Sequence, residues 1–232
     1  NIRIVPNASF GSAQFLDLIT EGFDIYGHHG AWTENYRSLN YQIHDAFCRN
    51  THNIKDVMER FSQRQTQIVI TSSIFEGDTK NPPFSVHGLA KSLTTQTFFF
   101  YAQQYNIPIS RFVIPNPFGP LDNPKLIHYL GTEWLSHRTP TILTPNYIRD
   151  NIPVDLLSQA YQYWLEQDNI PNQAVFSPAG YQSTMAEFAK RVATMLSPRL
   201  NIACPIHLAQ QQDFTQPIRL LNKTSAQHLC PS

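Results

Sequence analysis

The chain has 232 residues, of which 41% are hydrophobic, so it can bury a substantial core as one large domain or two small ones. Seventeen basic residues balance seventeen acidic ones, which leaves no bulk field to draw the chain to nucleic acid or anionic lipid. Its longest apolar runs fall well short of the ~20 residues a membrane span needs, and no charged-then-apolar leader opens the sequence, so a soluble, cytoplasmic protein is expected. Three scattered cysteines, Cys48, Cys204 and Cys230, argue against a disulfide framework and suit a reducing compartment.

In chain order, IRIV (2–5) reads as a strand, 13–20 as a short helix and FDIYG (23–27) as a second strand, followed by the polar turn HHGAWTENY. Apolar residues at helical spacing, Ile43, Phe47, Ile54, Val57, Met58 and Phe61, predict one helix over 41–61. QIVIT (67–71) is a strand stopped by Ser72 and Ser73. A long helix is expected over 86–105, ended by Asn106 and Pro108. ISRFVI (109–114) follows as a strand and runs into PNPFGP, a loop held by its prolines and glycine. Strand and helix thus alternate, the pattern of an α/β domain whose four strands lie together in a mostly parallel sheet.

After Pro120 the pattern changes. Helices are expected over 125–137, 154–166 and 184–196, with short strands at AVFS (174–177) and PIHLA, and an irregular tail from Ser197. The domain reading is 1–140 for a Rossmann-like sheet with helices on both faces, and 141–232 for a smaller α/β substrate lobe, the two interleaved.

Ligands of open α/β sheets bind at the carboxyl ends of the strands. HHGA, TSS and PNPFGP all fall there, and His87 and Lys91 open the helix between the last two. Residues i and i+4 share a helix face, so imidazole and ammonium point the same way. A fixed cation at Lys91 would lower the pKa of His87 and keep it a neutral base near pH 7, with a Ser72 or Ser73 hydroxyl beside the same substrate oxygen. The competing reading makes His87 a helix-capping residue and Lys91 a solvated one.

Taken together, FDIYGHHGA, Asn50, IVITSS, HGLAK, RFVIPNPFGP and YIRDNIPVDLLSQAY resemble, in order and spacing, the extended short-chain dehydrogenase/reductase family of NAD-dependent sugar-nucleotide epimerases and dehydratases. The resemblance implies a nucleotide-sugar substrate, bound NAD or NADP and hydride transfer at a ring carbon. By the same resemblance, His29, Gly30 and Ala31 lie along the cofactor, Asn50 supports a proton relay to the lysine, and Ser72 or Ser73 orients the substrate. Lys91 binds the nicotinamide ribose, Pro115 and Asn116 touch nicotinamide and substrate, and Arg149 and Arg219 lie near the nucleotide diphosphate. Family members often dimerise through the helix carrying the catalytic pair and the one before it, here 86–105 and 41–61.

Two features depart from the family pattern. Its base is a tyrosine four residues before the lysine, where this chain has His87. An imidazole titrates near 6.5 and a phenol near 10, so His87 is a base of a different kind. No GxGxxG occurs either, and IRIV aligns with the family's third strand, so the expected missing part is two strands and two helices, about 60 residues by the size of such units. The second functional reading is accordingly a catalytically impaired or truncated relative that serves as a binding or scaffold protein.

Other clusters carry less. His44, Cys48 and His52 would share a helix stripe, but they span about 12 Å, too far for one metal ion. The run Phe98 to Tyr101 is read as core and interlobe packing, and Trp32, Tyr36 and Arg37 as lining of the substrate cleft. A dehydratase would need a further acid/base pair, for which IFEGD offers Glu76 and Asp78.

Overall fold

The computed structural model describes residues 3–36, 38, 40–77, 81–120, 125–167 and 170–226. The chain divides into two compact units, residues 1–113 with 163–176 and residues 114–162 with 177–232. The first boundary therefore falls before the PNPFGP loop and not at 140, because Asn116–Phe118 pairs with a strand of the second unit. A later segment also returns to the first unit, where Val175–Phe176 adds a strand.

In the first unit the elements run α1 (Ala13–Ile19), β1 (Ile25–His28), α2 (Ile43–Asn50), α3 (Ile54–Arg64), β2 (Gln67–Ser73), a 3₁₀ turn (Ile74–Glu76), α4 (Val86–Gln104) and β3 (Ile109–Ile114). In the second come β4 (Asn116–Phe118), α5 (Leu126–Leu135), β5 (Thr141–Ile142), β6 (Ile148–Pro153) and α6 (Val154–Leu165), whose last residues lie in the first unit with β7 (Val175–Phe176). The chain closes with β8 (Pro178–Ala179), β9 (Tyr181–Thr184), α7 (Met185–Leu200), β10 (His207–Leu208), β11 (Arg219–Leu220) and β12 (Thr224–Ser225).

The sheet of the first unit has the order β1-β2-β3-β7. Ile25 pairs with Gln67 and His28 with Ile70 in parallel, and Arg111 and Phe112 pair likewise with Val175 and Phe176. The apolar run of β2 is what a strand covered on both faces requires, and Ile68, Val69 and Ile70 are all buried. Around it pack Phe15, Ile54, Met58, Phe61, Phe98 and Ile109, each side chain contributing about 1.5–3 kcal/mol by burial.

Two sequence expectations fail here. Residues 3–5 form no strand, and Ile4 is 85% exposed, so no sheet covers this segment. The helix expected over 41–61 is two helices, α2 and α3. Thr51 turns its hydroxyl onto the Phe47 carbonyl, and Asn53 takes a left-handed φ of 48° while its amide donates to the Gly11 carbonyl. Gly11 makes this approach possible: its φ is +71°, and a Cβ there would lie 1.8 Å from the His52 carbonyl oxygen.

Helix α4 is the element that presents the candidate residues. Ser85 caps it by accepting the Gly88 N–H, and Asn106 with φ 52° follows its end. Of the run Phe98 to Tyr101, Phe98 is buried and Phe100 is 58% exposed, so the run is not one packed stripe. α7 continues through Pro198 to Leu200, four residues past the expected end.

In the second unit β6 pairs in parallel with β4 and β11 and antiparallel with β9, and α5 and α7 pack over Leu130, Trp134, Ile142, Ala189 and Ala193. Among the described residues no helix is long and apolar enough to cross a membrane.

Candidate functional site

At the carboxyl ends of β1 and β2, the turn after His28 and the first turns of α4 come together. The tight seat of α4 is set at Gly88: a Cβ there would meet the Phe75 carbonyl oxygen at 2.2 Å, so the helix start can press on the 3₁₀ turn only without a side chain. This fixes the position of His87, which is 9% exposed and packs against Tyr36 and Tyr41 at ring distances of 5.0 and 5.7 Å. His87 therefore does not cap the helix; Ser85 does. Burial, then the Lys91 charge, lowers its pKa from 6.5 to about 4, and its Nδ1 is buried without a hydrogen-bond partner among the described residues.

Lys91 is half-buried, and its ammonium donates to the Thr71 carbonyl at 3.3 Å. Burial pushes its pKa down, opposed by Glu76 and reinforced by Arg111. It is not a solvated lysine. Beneath the turn, His28 is 2% exposed, with its ring 4.5 Å from that of Phe98 and its Nδ1 3.0 Å from the Tyr26 hydroxyl. Burial first and Lys91 second hold its pKa at about 3; its Nε2 makes no hydrogen bond of normal geometry, although the Gly30 backbone lies close enough to pull the pKa slightly upward. His29 and Gly30 are exposed and Ala31 half-buried, and a Cβ on Gly30 would stand 3.1 Å from the His28 ring.

The two serines face different ways, as successive strand residues must. Ser72 is 1% exposed and accepts from Arg111 Nε at 2.6 Å. Ser73 is half-buried and caps the 3₁₀ turn, its hydroxyl accepting the Phe75 N–H and its own N–H going to Glu76 at 2.8 Å. Glu76 is 3% exposed and also accepts from Thr95 and Arg111, so it is a structural anchor and not an acid open to a ligand. Asp78 and Arg37 lie outside the described residues, as does Cys230.

Asn50 is buried, but its carbonyl accepts the Trp32 N–H at 2.9 Å and its amide donates to Thr94 at 3.2 Å. It thereby ties the turn after β1 to α4. Helix α2 ends before His52, which breaks the expected His44, Cys48, His52 stripe; Cys48 Sγ lies 3.7 Å from His44 Nε2.

The remaining candidates belong to the second unit. Asn116 donates to the Asn151 carbonyl at 2.6 Å, and both line a cavity of about 340 Å³ with Pro117, Gly119, Lys125 and His128. Pro115 is buried. Arg149 is 9% exposed: it donates to the carbonyls of Ile148, Pro217 and Ile218 and to Gln216, and stacks on Tyr147. It clasps β6 to the segment leading into β11, where Arg219 is exposed. Sequence reasoning missed Asp150 beside it, which accepts from Gly180, Gln182 and Asn222 and organises the same lobe; the partners lie 30 to 72 residues away, so no local pattern marks them. Arg111 was missed for the same reason.

The chain resembles UDP-glucuronic acid 4-epimerase from Bacillus cereus, solved with UDP-glucuronic acid and NAD, with a TM-score of 0.70 over 89% of this chain and 68% of that one, at 16% identity. The chain has the fold of the sugar-nucleotide epimerases. UDP-glucose 4-epimerase from the hyperthermophile Thermotoga maritima matches at TM-score 0.68 and 15% identity, over 89% of this chain and 70% of that one. The dTDP-glucose 4,6-dehydratase DesIV of Streptomyces venezuelae, solved with NAD, matches at 0.66 and 15%, over 88% and 66%. No family model and no curated protein matches the chain. The family likeness read from the sequence thus stands at the level of fold, across nearly the whole chain.

Proposed function

We propose that the chain is an NAD(P)-dependent oxidoreductase of the epimerase/dehydratase type acting on a nucleotide sugar. The observation that carries the reading is the placement of His87 and Lys91 on one face of α4 beside the bare turn at Gly30, with His87 held far below neutral pH and so unprotonated at pH 7. The exposed His29–Gly30 backbone and the Lys91 ammonium suit a nicotinamide ribose; the chain contains no GxGxxG for a pyrophosphate. Bound NAD would supply a hydride acceptor. His87 would take the proton of the substrate hydroxyl at Nε2, with its own proton resting on the buried Nδ1. Ser73 is the better placed serine to orient that hydroxyl, since Ser72 is occupied by Arg111. In the second unit, Pro115 and Asn116 would contact nicotinamide and substrate, and Arg149 and Arg219 would serve the diphosphate end. A homodimer through 41–61 and 86–105 fits the exposed Val86, Leu89, Leu93 and Phe100 along α4, whose burial would be favourable.

The second reading is a binding or scaffold relative without turnover. It is favoured by Ser72 and Arg149, both spent on internal bonds. NAD(H) binding and turnover of UDP- and dTDP-sugars by the wild type, His87→Ala and His87→Tyr separate the two. Loss of turnover in His87→Ala supports the enzyme; absence of turnover in all three with retained nucleotide-sugar binding supports the scaffold.

A further inference from the structure

Glu76 and Arg111 form a buried ion pair that the proposed reaction does not use. Glu76 Oε2 lies 3.2 Å from the Arg111 guanidinium, with side-chain exposures of 1% and 22%. A charge taken from water at this depth must be compensated, and here each partner has further bonds: Arg111 to Ser72, and Glu76 to the Ser73 N–H and the Thr95 hydroxyl. Three elements are joined by it, since Ser72 and Ser73 end β2, Arg111 is on β3 and Thr95 on α4.

The pair also borders Lys91. Lys91 and Thr95 are i and i+4 on α4 and so share a face; Thr95 donates to Glu76 and Lys91 to the carbonyl of Thr71, next to Ser72. We infer that Glu76 and Arg111 are positioning residues for Lys91: the carboxylate favours the charged ammonium, and the guanidinium, a second cation beside it, opposes this. The groups facing Lys91 are Glu76 from the 3₁₀ turn, Arg111 from β3, His28 and His29 from the end of β1 and its turn, and His87 from its own helix. Glu76 is the one acid among these groups; the rest are bases. Its influence on Lys91 is upward and that of Arg111 downward, against the larger effect of burial. The inference rests on the reading of Lys91 as a site residue and adds how its charge is set.

The test is the titration of the Lys91 amine in the free chain, read from the ¹³Cε resonance in ¹³C-lysine-labelled protein and assigned with Lys91→Arg. Glu76→Gln keeps the shape and an acceptor but removes the charge, and Lys91 is expected to titrate lower than in the wild type. Arg111→Met is expected to move it upward, and the double variant to return it near the wild-type value. A structural role alone would loosen the site in both single variants and move Lys91 toward its ordinary value in both. Shifts of the same sign, or none, overturn the inference. Should Glu76→Gln fail to fold, the upward shift in Arg111→Met decides the matter alone, and an unmoved or lowered Lys91 there refutes it. Turnover plays no part in this readout, so a chain without activity could still pass, and an active one could still fail.

Discussion

Lys91→Met removes the charge beside His87 while keeping most of the side-chain stem. His87 titrates at about 4 in place of 6.5, a fall of about 2.5 units with two causes, burial the larger and Lys91 the smaller. The lysine thus accounts for less than half, on the order of one pH unit at most. His87 in the variant is therefore expected to titrate above 4 and still well below 6.5. The assay is the pH dependence of the imidazole Cε1–Hε1 resonance, assigned among the nine histidines with His87→Ala. His28, which also feels Lys91 behind a larger burial effect, should move up as well. An unchanged or lowered His87 would refute the placement of the ammonium. A rise to 6 or beyond would show that burial is not the main cause.

His28 and His87 both titrate below their unfolded value of 6.5, so the unfolded chain takes up protons first and stability present above pH 6.5 is lost as the pH falls through the folded values. Urea unfolding should show a loss of roughly 3 kcal/mol from His87 alone by pH 4, and a stability level between pH 6.5 and 4.5 would contradict the burial of both rings. Ser72→Ala strands the Arg111 Nε donor and should cost about 1–3 kcal/mol, against ~1 kcal/mol for the cap lost in Ser73→Ala; equal costs would mean that Ser72 is not engaged as described. Gly88→Ala drives a methyl against the Phe75 carbonyl and should destabilise by about 2–3 kcal/mol in the same assay, whereas a stabilised variant, as helix propensity alone would give, refutes the close approach.

Much of the site was legible from residue types and local spacing. The i and i+4 relation of His87 and Lys91 follows from helix geometry alone, and Ser85, Asn106 and Pro108 mark the ends of that helix. β2 was legible because a strand buried on both faces reads as an apolar run, and β3 because its apolar residues Ile109, Phe112, Val113 and Ile114 stand between Pro108 and the PNPFGP loop. Residues 3–5 of the IRIV run form no strand, since a strand exists only where a neighbour takes up its hydrogen bonds. The break at 51–53 was invisible because the apolar period continues across it; Thr51 bonds back to the Phe47 carbonyl, and the Asn53 side chain reaches the Gly11 carbonyl, 42 residues earlier.

The sequence by itself determined the α/β alternation, the positions of the turns that end the strands, and the pairing of an imidazole with an ammonium on one helix face. Only the tertiary structure decided which serine is spent and which is half open, that Asn50 ties the turn after β1 to α4, and that Arg149 clasps β6 to the segment before β11. It also decided that the buried pair of Glu76 and Arg111 lies beside Lys91. The reason is physical: helix and strand periods act between near neighbours in the chain, whereas hydrogen bonds and desolvated charges answer to whatever the fold brings within about 3 Å, whether 2 residues away or 72.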